Sequence, residues 1–155
     1  MESEADKPET APSRKMSFLK EMDEKHVVTC FLKREDGKIL IMKRSEKVST
    51  YQGRWGGVAG YLEDEPLKQA FKEIEEETGL KKEEVELIKE GSPIEVIDER
   101  LRRKWVVHPF LFYVKNPRIK IDWEHTEIKW IDPEEMKELP TVPGLYEAWK
   151  NVAER

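Results

Sequence analysis

A single cysteine, Cys30, stands in this chain of 155 residues. That scarcity excludes an internal disulfide and any zinc site built from several cysteines, and it suits a reducing cytosol. No apolar run approaches the roughly 20 residues that span a bilayer. The opening stretch "MESEADKPETAPSRK" lacks the apolar core of a signal peptide, so the expected location is cytoplasmic. Asn and Gln are scarce while Glu and Lys abound, a composition that leans toward thermophile proteins. Basic excess is missing too. The net charge of -5 argues against a nucleic-acid backbone or an anionic membrane as a direct partner. A polyanionic small molecule stays open as a partner if a metal ion reverses the local sign.

What is present is charge and enough chain for one domain with a real core. Residues 1–15 read as a flexible polar tail and residues 16–155 as a single domain. "HVVTCFLKREDGKILIMKRS" reads as two strands joined by Glu35, Asp36 and Gly37. "EKVSTYQGRWGGVAGYLED" reads as a long loop whose four glycines permit close backbone approach to a ligand. Strands are expected near Val85 to Glu90, Ile94 to Ile97, Lys104 to Val114, and over "EIKWI". The third of these is apolar on both faces, as a central, doubly covered strand would be. "DPEEMKEL" reads as a helix start with Asp132 as N-cap and Glu135 completing a capping box. A C-terminal helix is expected from Pro143 to Arg155, with Leu145, Trp149 and Val152 inward. Interleaved strands and helices give an α/β class with a mixed sheet.

One helix raises a question of charge. "FKEIEEETGL" crowds Glu73, Glu75, Glu76 and Glu77 into the last turns of a helix that opens at Pro66 and stops before Gly79. Leu67, Ala70, Phe71 and Ile74 form its apolar stripe. At about 100° per residue, Glu73, Glu76 and Glu77 share one flank of that stripe, whereas Glu75 points elsewhere. Repulsion in such pairs costs only about 0.2–0.5 kcal/mol each on an exposed helix. A solvated acidic face is therefore one reading. Clustered carboxylate oxygens that hold a hard divalent cation are the other.

"GYLEDEPLKQAFKEIEEETGL" resembles the Nudix box, G-x5-E-x7-R-E-U-x-E-E-x-G-U, where U is a bulky aliphatic residue. Leu80, Gly79, Glu77, Glu76, Ile74 and Glu73 match its C-terminal half. The preceding hairpin, the Trp-Gly loop and the downstream "EHTEIKWI" follow the family's usual order, over roughly residues 26 to 150. Three departures stand out. Lys72 replaces the family's Arg, and lysine supplies the charge without the bidentate fork. Asp64 replaces the first Glu, and the stretch is two residues shorter than the pattern.

The resemblance implies a Nudix-type α/β/α sandwich and hydrolysis of a nucleoside diphosphate linked to another moiety, by water attack on phosphorus. Mg2+ or Mn2+ would be the cofactor. Carried over by position, Glu73 and Glu77 are the expected direct ligands, Glu76 a ligand directly or through water, and Ala59 or Gly60 the carbonyl donor. Lys72 and Asp64 take the helix-orienting places. Glu124 is the candidate extra carboxylate, as ligand or general base, with Glu127 as the alternative. Lys43, Arg44 and Arg54 are candidates to meet phosphates, and Tyr51, Trp55, Trp105 and Phe110 to stack on a base. Each has a plainer reading as surface charge or core aromatic. His108 reads as a core histidine, and His26 and His125 have no companions at metal-ligand spacing. The expected partner is a small nucleotide or diphosphate, and a homodimer is open.

Two other functions compete. A catalytically silent nucleotide-binding or regulatory module would keep the fold and bind without turnover. An isopentenyl-diphosphate isomerase-like enzyme would share the hairpin and "GRW". That branch places a cysteine just after the tryptophan, where this chain has "GGVAGY".

Overall fold

The computed structural model of the chain describes residues 22–154. The tail expected over residues 1–15 lies outside them. β1 (Asp23–Lys33) and β2 (Ile39–Arg44) form the expected hairpin. Asp36 builds its turn, because its carboxylate accepts from Lys38 N and pairs with Arg34. The glycine-rich segment is not one loop: it contains β3 (Trp55–Gly56) and β4 (Val58–Tyr61). β4 pairs antiparallel with β1, from Val27↔Tyr61 to Cys30↔Val58. A nonlocal partner makes this strand, which is why local residue preferences miss it.

β5 (Val85–Glu90), β6 (Ile94–Asp98) and β7 (Arg103–Val114) fall where the apolar patterns place them. β7 is the central strand. It runs parallel to β1 over the whole length of that strand and antiparallel to both β5 and β6. β8 (His125–Ile131) pairs antiparallel with β2 and begins two residues before "EIKWI". The result is an eight-stranded mixed sheet in an α/β frame.

Alternation along β1 and β7 feeds two cores. On one face Val28, Cys30, Leu32, Phe110 and Phe112 pack under Ala70 and Ile74 of α1 (Pro66–Thr78). On the other, Phe31, Val107 and Leu111 pack under Leu145, Ala148, Trp149 and Val152 of α2 (Leu145–Val152). The C-terminal helix is therefore shorter than expected. "DPEEMKEL" forms a 3-10 turn, Pro133–Glu138, in place of an α-helix. Its capping is as read: Asp132 N donates to the Glu135 carboxylate at 2.9 Å. Among the described residues no helix is long and apolar enough to cross a membrane.

Candidate active site

Pro66 opens α1 with its fixed φ, and Gly79 closes it at φ 79°, donating its N–H to Glu75 O at 2.9 Å. Between these stops the helix lies against β4 and β1, and its stripe sets the roll. Ala70 and Ile74 are fully buried, Glu75 and Glu76 are exposed, and Glu77 is only 1% exposed. The glutamates thus divide by face, and one of them is driven into the protein.

Glu77 Oε1 accepts a hydrogen bond from Ala59 N at 3.3 Å, while its Oε2 is buried without a partner. Burial of a charged carboxylate with one oxygen unpaired is costly. Accordingly its carboxyl is held well above the usual range, by burial first, then by the charge of Glu124 and the proximity of Glu73. Glu73, half-buried one turn earlier, is also raised, chiefly by burial. Gly60 is why it fits: a Cβ there would lie 2.2 Å from Glu73 Cδ. Gln69, buried one further turn back, donates to Glu73 Oε2 at 2.8 Å and accepts from Glu63 N at 3.0 Å. Gln69 orients Glu73. The sequence reading passed over it, although the i, i+4 series Gln69, Glu73, Glu77 runs down one line of the helix.

The turn before β8 completes the cluster. Ser45 N donates to Glu124 O at 2.7 Å, and Asp122 accepts from Glu124 N at 3.1 Å, so this turn is tied to the end of β2. Glu124 is raised by burial, then by the charges of Asp122 and Glu73, with Arg44 opposing. The candidate carboxylate therefore faces the helix cluster. Glu127, the alternative, is exposed and sits 3.5 Å from Lys43. His125 belongs to the site and was missed. It is buried, with Nε2 3.9 Å from Glu77 Oε1 and Nδ1 3.5 Å from Asp122 Oδ1. Its place directly after Glu124 was the available signal.

Arg44 forks onto Thr50 O at 3.0 and 2.8 Å and feels the charges of Glu77 and Glu124. Tyr51 donates to Asp98 at 2.5 Å and accepts from Trp105 Nε1 at 2.9 Å. Arg54 is exposed and bonds Thr141 O. Trp55 is buried in the second core with Lys129 over its ring, and Phe110 is fully buried in the first. Lys72 is exposed and adds a positive charge near Glu73. Asp64 accepts from Glu65 N at 2.7 Å. His108 is not a core residue: it is half-buried and contacts His26.

Among the described residues, no three or more His, Cys, Asp or Glu side chains are already gathered so that they could hold a metal ion. The donor set nonetheless fits a hard cation. Glu73 and Glu77 are neighbours on one line of the helix, the charge of Glu124 is felt at Glu77, and the orphaned Glu77 Oε2 wants a positive partner.

A NUDIX domain model matches residues 24–151, so the chain belongs to the Nudix family of diphosphate hydrolases, which generally use divalent metals. Solved structures agree on the fold. A MutT protein from Methanosarcina mazei Go1 aligns with TM-score 0.70 and 22% identity, covering 84% of this chain and 93% of that one. A C. elegans Ap4A hydrolase binary complex aligns with TM-score 0.68 and 16% identity, covering 82% and 93%. An E. coli dihydroneopterin triphosphate pyrophosphohydrolase aligns with TM-score 0.66 and 20% identity, covering 79% and 90%. No curated protein matches the chain.

Proposed function

We propose that the protein hydrolyses a nucleoside diphosphate linked to a further moiety, with Mg2+ or Mn2+ held by Glu73 and Glu77. The observation that carries this reading is the buried Glu77 carboxylate with an unpaired oxygen amid two further acids. A divalent ion there neutralises a diphosphate and acidifies water. Ala59 and Gly60, on β4 against Glu73 and Glu77, are the backbone donors of the proposal. Glu76 stays exposed on the same flank, placed to meet the ion through water. Glu124 is the proposed base: it stands beside the acid pair without lying on the helix that carries it, tied by its backbone to Ser45 and Asp122. His125 and Gln69 position the carboxylates and take no proton in this scheme.

Substrate binding is assigned to a cleft of about 730 Å³ lined by Tyr51, Arg54, Asp98, Arg100, Lys137 and Tyr146, among others. Its volume suits a nucleotide-sized ligand. Arg54, Arg100 and Lys137 line it against Asp98 and Glu147, so its lining carries a small excess of positive charge for phosphate. The cleft does not include the carboxylates. The loop that begins after Arg44 links the two, since Arg44 contacts the acid cluster electrostatically and grips Thr50 beside Tyr51. We place the reacting diphosphate along that loop. Tyr51 serves as a fixed wall held by Asp98 and Trp105, while Trp55 supports the loop from the core.

The test is product analysis on nucleoside triphosphates, dinucleoside polyphosphates and nucleotide sugars, with Mg2+ and with chelator. Metal-dependent release of a nucleoside monophosphate, lost in Glu77→Gln, is the expected outcome. Tight nucleotide binding without turnover would reject the proposal.

A further inference from the structure

We infer that His26 and His108 form a second cation site, one for a borderline ion such as Zn2+ or Ni2+, independent of the acidic cluster on α1. Parallel pairing sets Val28 opposite His108 and His26 opposite Val106, so both imidazoles project from the face that carries Val28 and Phe110. They remain half-exposed there. His26 Nδ1 lies 3.0 Å from His108 Nε2, with the rings tilted by 33° and their centroids 5.3 Å apart. Two imidazole nitrogens on one tetrahedral ion, each at about 2.0–2.1 Å, stand about 3.3 Å apart. The pair thus needs to open by a few tenths of an ångström, with each ring turned so that its nitrogen faces the ion rather than the other ring.

The surroundings are those of a ligand pair. His26 Nε2 lies 3.0 Å from Glu24 Oε2. A carboxylate only accepts, so Nε2 carries a hydrogen and Nδ1 is the nitrogen left to face His108. An outer carboxylate of this kind orients ligating histidines and strengthens them as donors. Lys104 holds the other oxygen of Glu24 at 3.2 Å and also reaches Glu95 at 3.5 Å. Burial and the proximity of His26 hold His108 below its ordinary pKa, with Glu90 opposing, so its ring is neutral near pH 7. Without a metal, a single hydrogen bridges His26 Nδ1 and His108 Nε2, donated by whichever ring the tautomers favour. On binding, that hydrogen is released to solvent or to a ring nitrogen facing away, and both facing nitrogens become ligands. Imidazole selects Zn2+, Ni2+ or Cu2+ over the hard ions that carboxylates prefer, so the two sites sort different metals. An ion here would tie the start of β1 to β7. It would also steady the approach to α1, because Leu62 N donates to His26 O at 2.9 Å.

Calorimetric titration of the full chain with Zn2+, under Mg2+ high enough to fill the acidic cluster, tests this. One Zn2+ per chain is expected. Affinity should fall more than about 100-fold in His108→Gln and in His26→Gln, and about 10–100-fold in Glu24→Gln. Glu77→Gln should bind Zn2+ as the parent does. Melting curves without Zn2+ check that the half-exposed variants fold. No Zn2+ uptake by the parent under Mg2+, or uptake by His108→Gln equal to the parent's, overturns the inference.

Discussion

Glu77 Oε1 lies 3.9 Å from His125 Nε2, with both side chains almost fully withdrawn from solvent. An acid on a helix and an imidazole at the start of a strand meet in the interior, beside Glu73 and Glu124. The charges that look mutually repulsive along the helix therefore part by face: Glu75 and Glu76 stay in solvent, while Glu77 turns inward beside Glu73. A cation beside the inward pair would offset their repulsion.

Replacing Glu77 by Gln keeps the shape and removes the charge. Hydrolysis should fall by about 100-fold or more, with an unchanged circular dichroism spectrum. The metal-free melting temperature should hold or rise, since no charge remains to bury. Glu75→Gln, on the exposed face, should stay within about twofold of the parent. A loss in Glu75→Gln as large as in Glu77→Gln would undo the assignment of faces.

Gly60→Ala places a methyl group where the Glu73 carboxylate stands. The side chain must swing away, and Gln69 can no longer hold it. Titration of activity against Mg2+ should shift to concentrations about tenfold higher or more. Secondary structure should survive. An unshifted metal titration would show that Glu73 is not a ligand.

Acidity should act on the metal-free protein in a definite direction. Glu73, Glu77 and Glu124 have folded pKa values above the ordinary carboxylate value near 4.3. The folded state then holds more protons than the unfolded one. Their contribution to stability is present below about pH 4.3 and is lost as pH rises through the raised values. With a chelator, the melting temperature of the parent relative to Glu77→Gln should fall from about pH 4.5 upward. Added Mg2+ should remove most of that difference. A pH-independent difference would contradict the burial argument.

The cleft wall has its own signature. Burial, and then the bond to Asp98, push Tyr51 up to about 12. Its proton is retained on folding, so this contribution to stability is lost between about pH 10 and 12. Ultraviolet titration should show a tyrosinate step near pH 12 that disappears in Tyr51→Phe and moves lower in Asp98→Asn. No change in either variant would remove the Tyr51–Asp98 bond from the account.

Local signals carried much of this structure. Pro66, Gly79 and the glutamate spacing place α1 and tell Glu77 from Glu75 before any coordinates are seen. The doubly apolar run from Lys104 to Val114 marks the central strand. What escaped depends on distant pairing. "VAGY" has little strand preference of its own and becomes β4 only against β1. His125 looks solitary until β8 pairs with β2 beside α1, and His26 finds His108 only through a parallel register between remote segments. Trp55 and Arg54 are neighbours in sequence but part in space, one to the core and the other to the cleft.

The parallel pairing of β1 with β7 also sets an order of assembly. Joining residue 23 to residue 103 closes a long loop, and such closures are slow because their entropy is lost before the contacts form. A chain emerging from the ribosome can make the hairpin and α1 early, yet the floor beneath that helix includes Phe110 and Phe112, and the third acid of the cluster is Glu124. Until those residues are synthesised, Glu77 has no interior to enter. The acidic cluster then depends on that long-range closure, and refolding monitored by Mg2+ binding should lag behind helix formation.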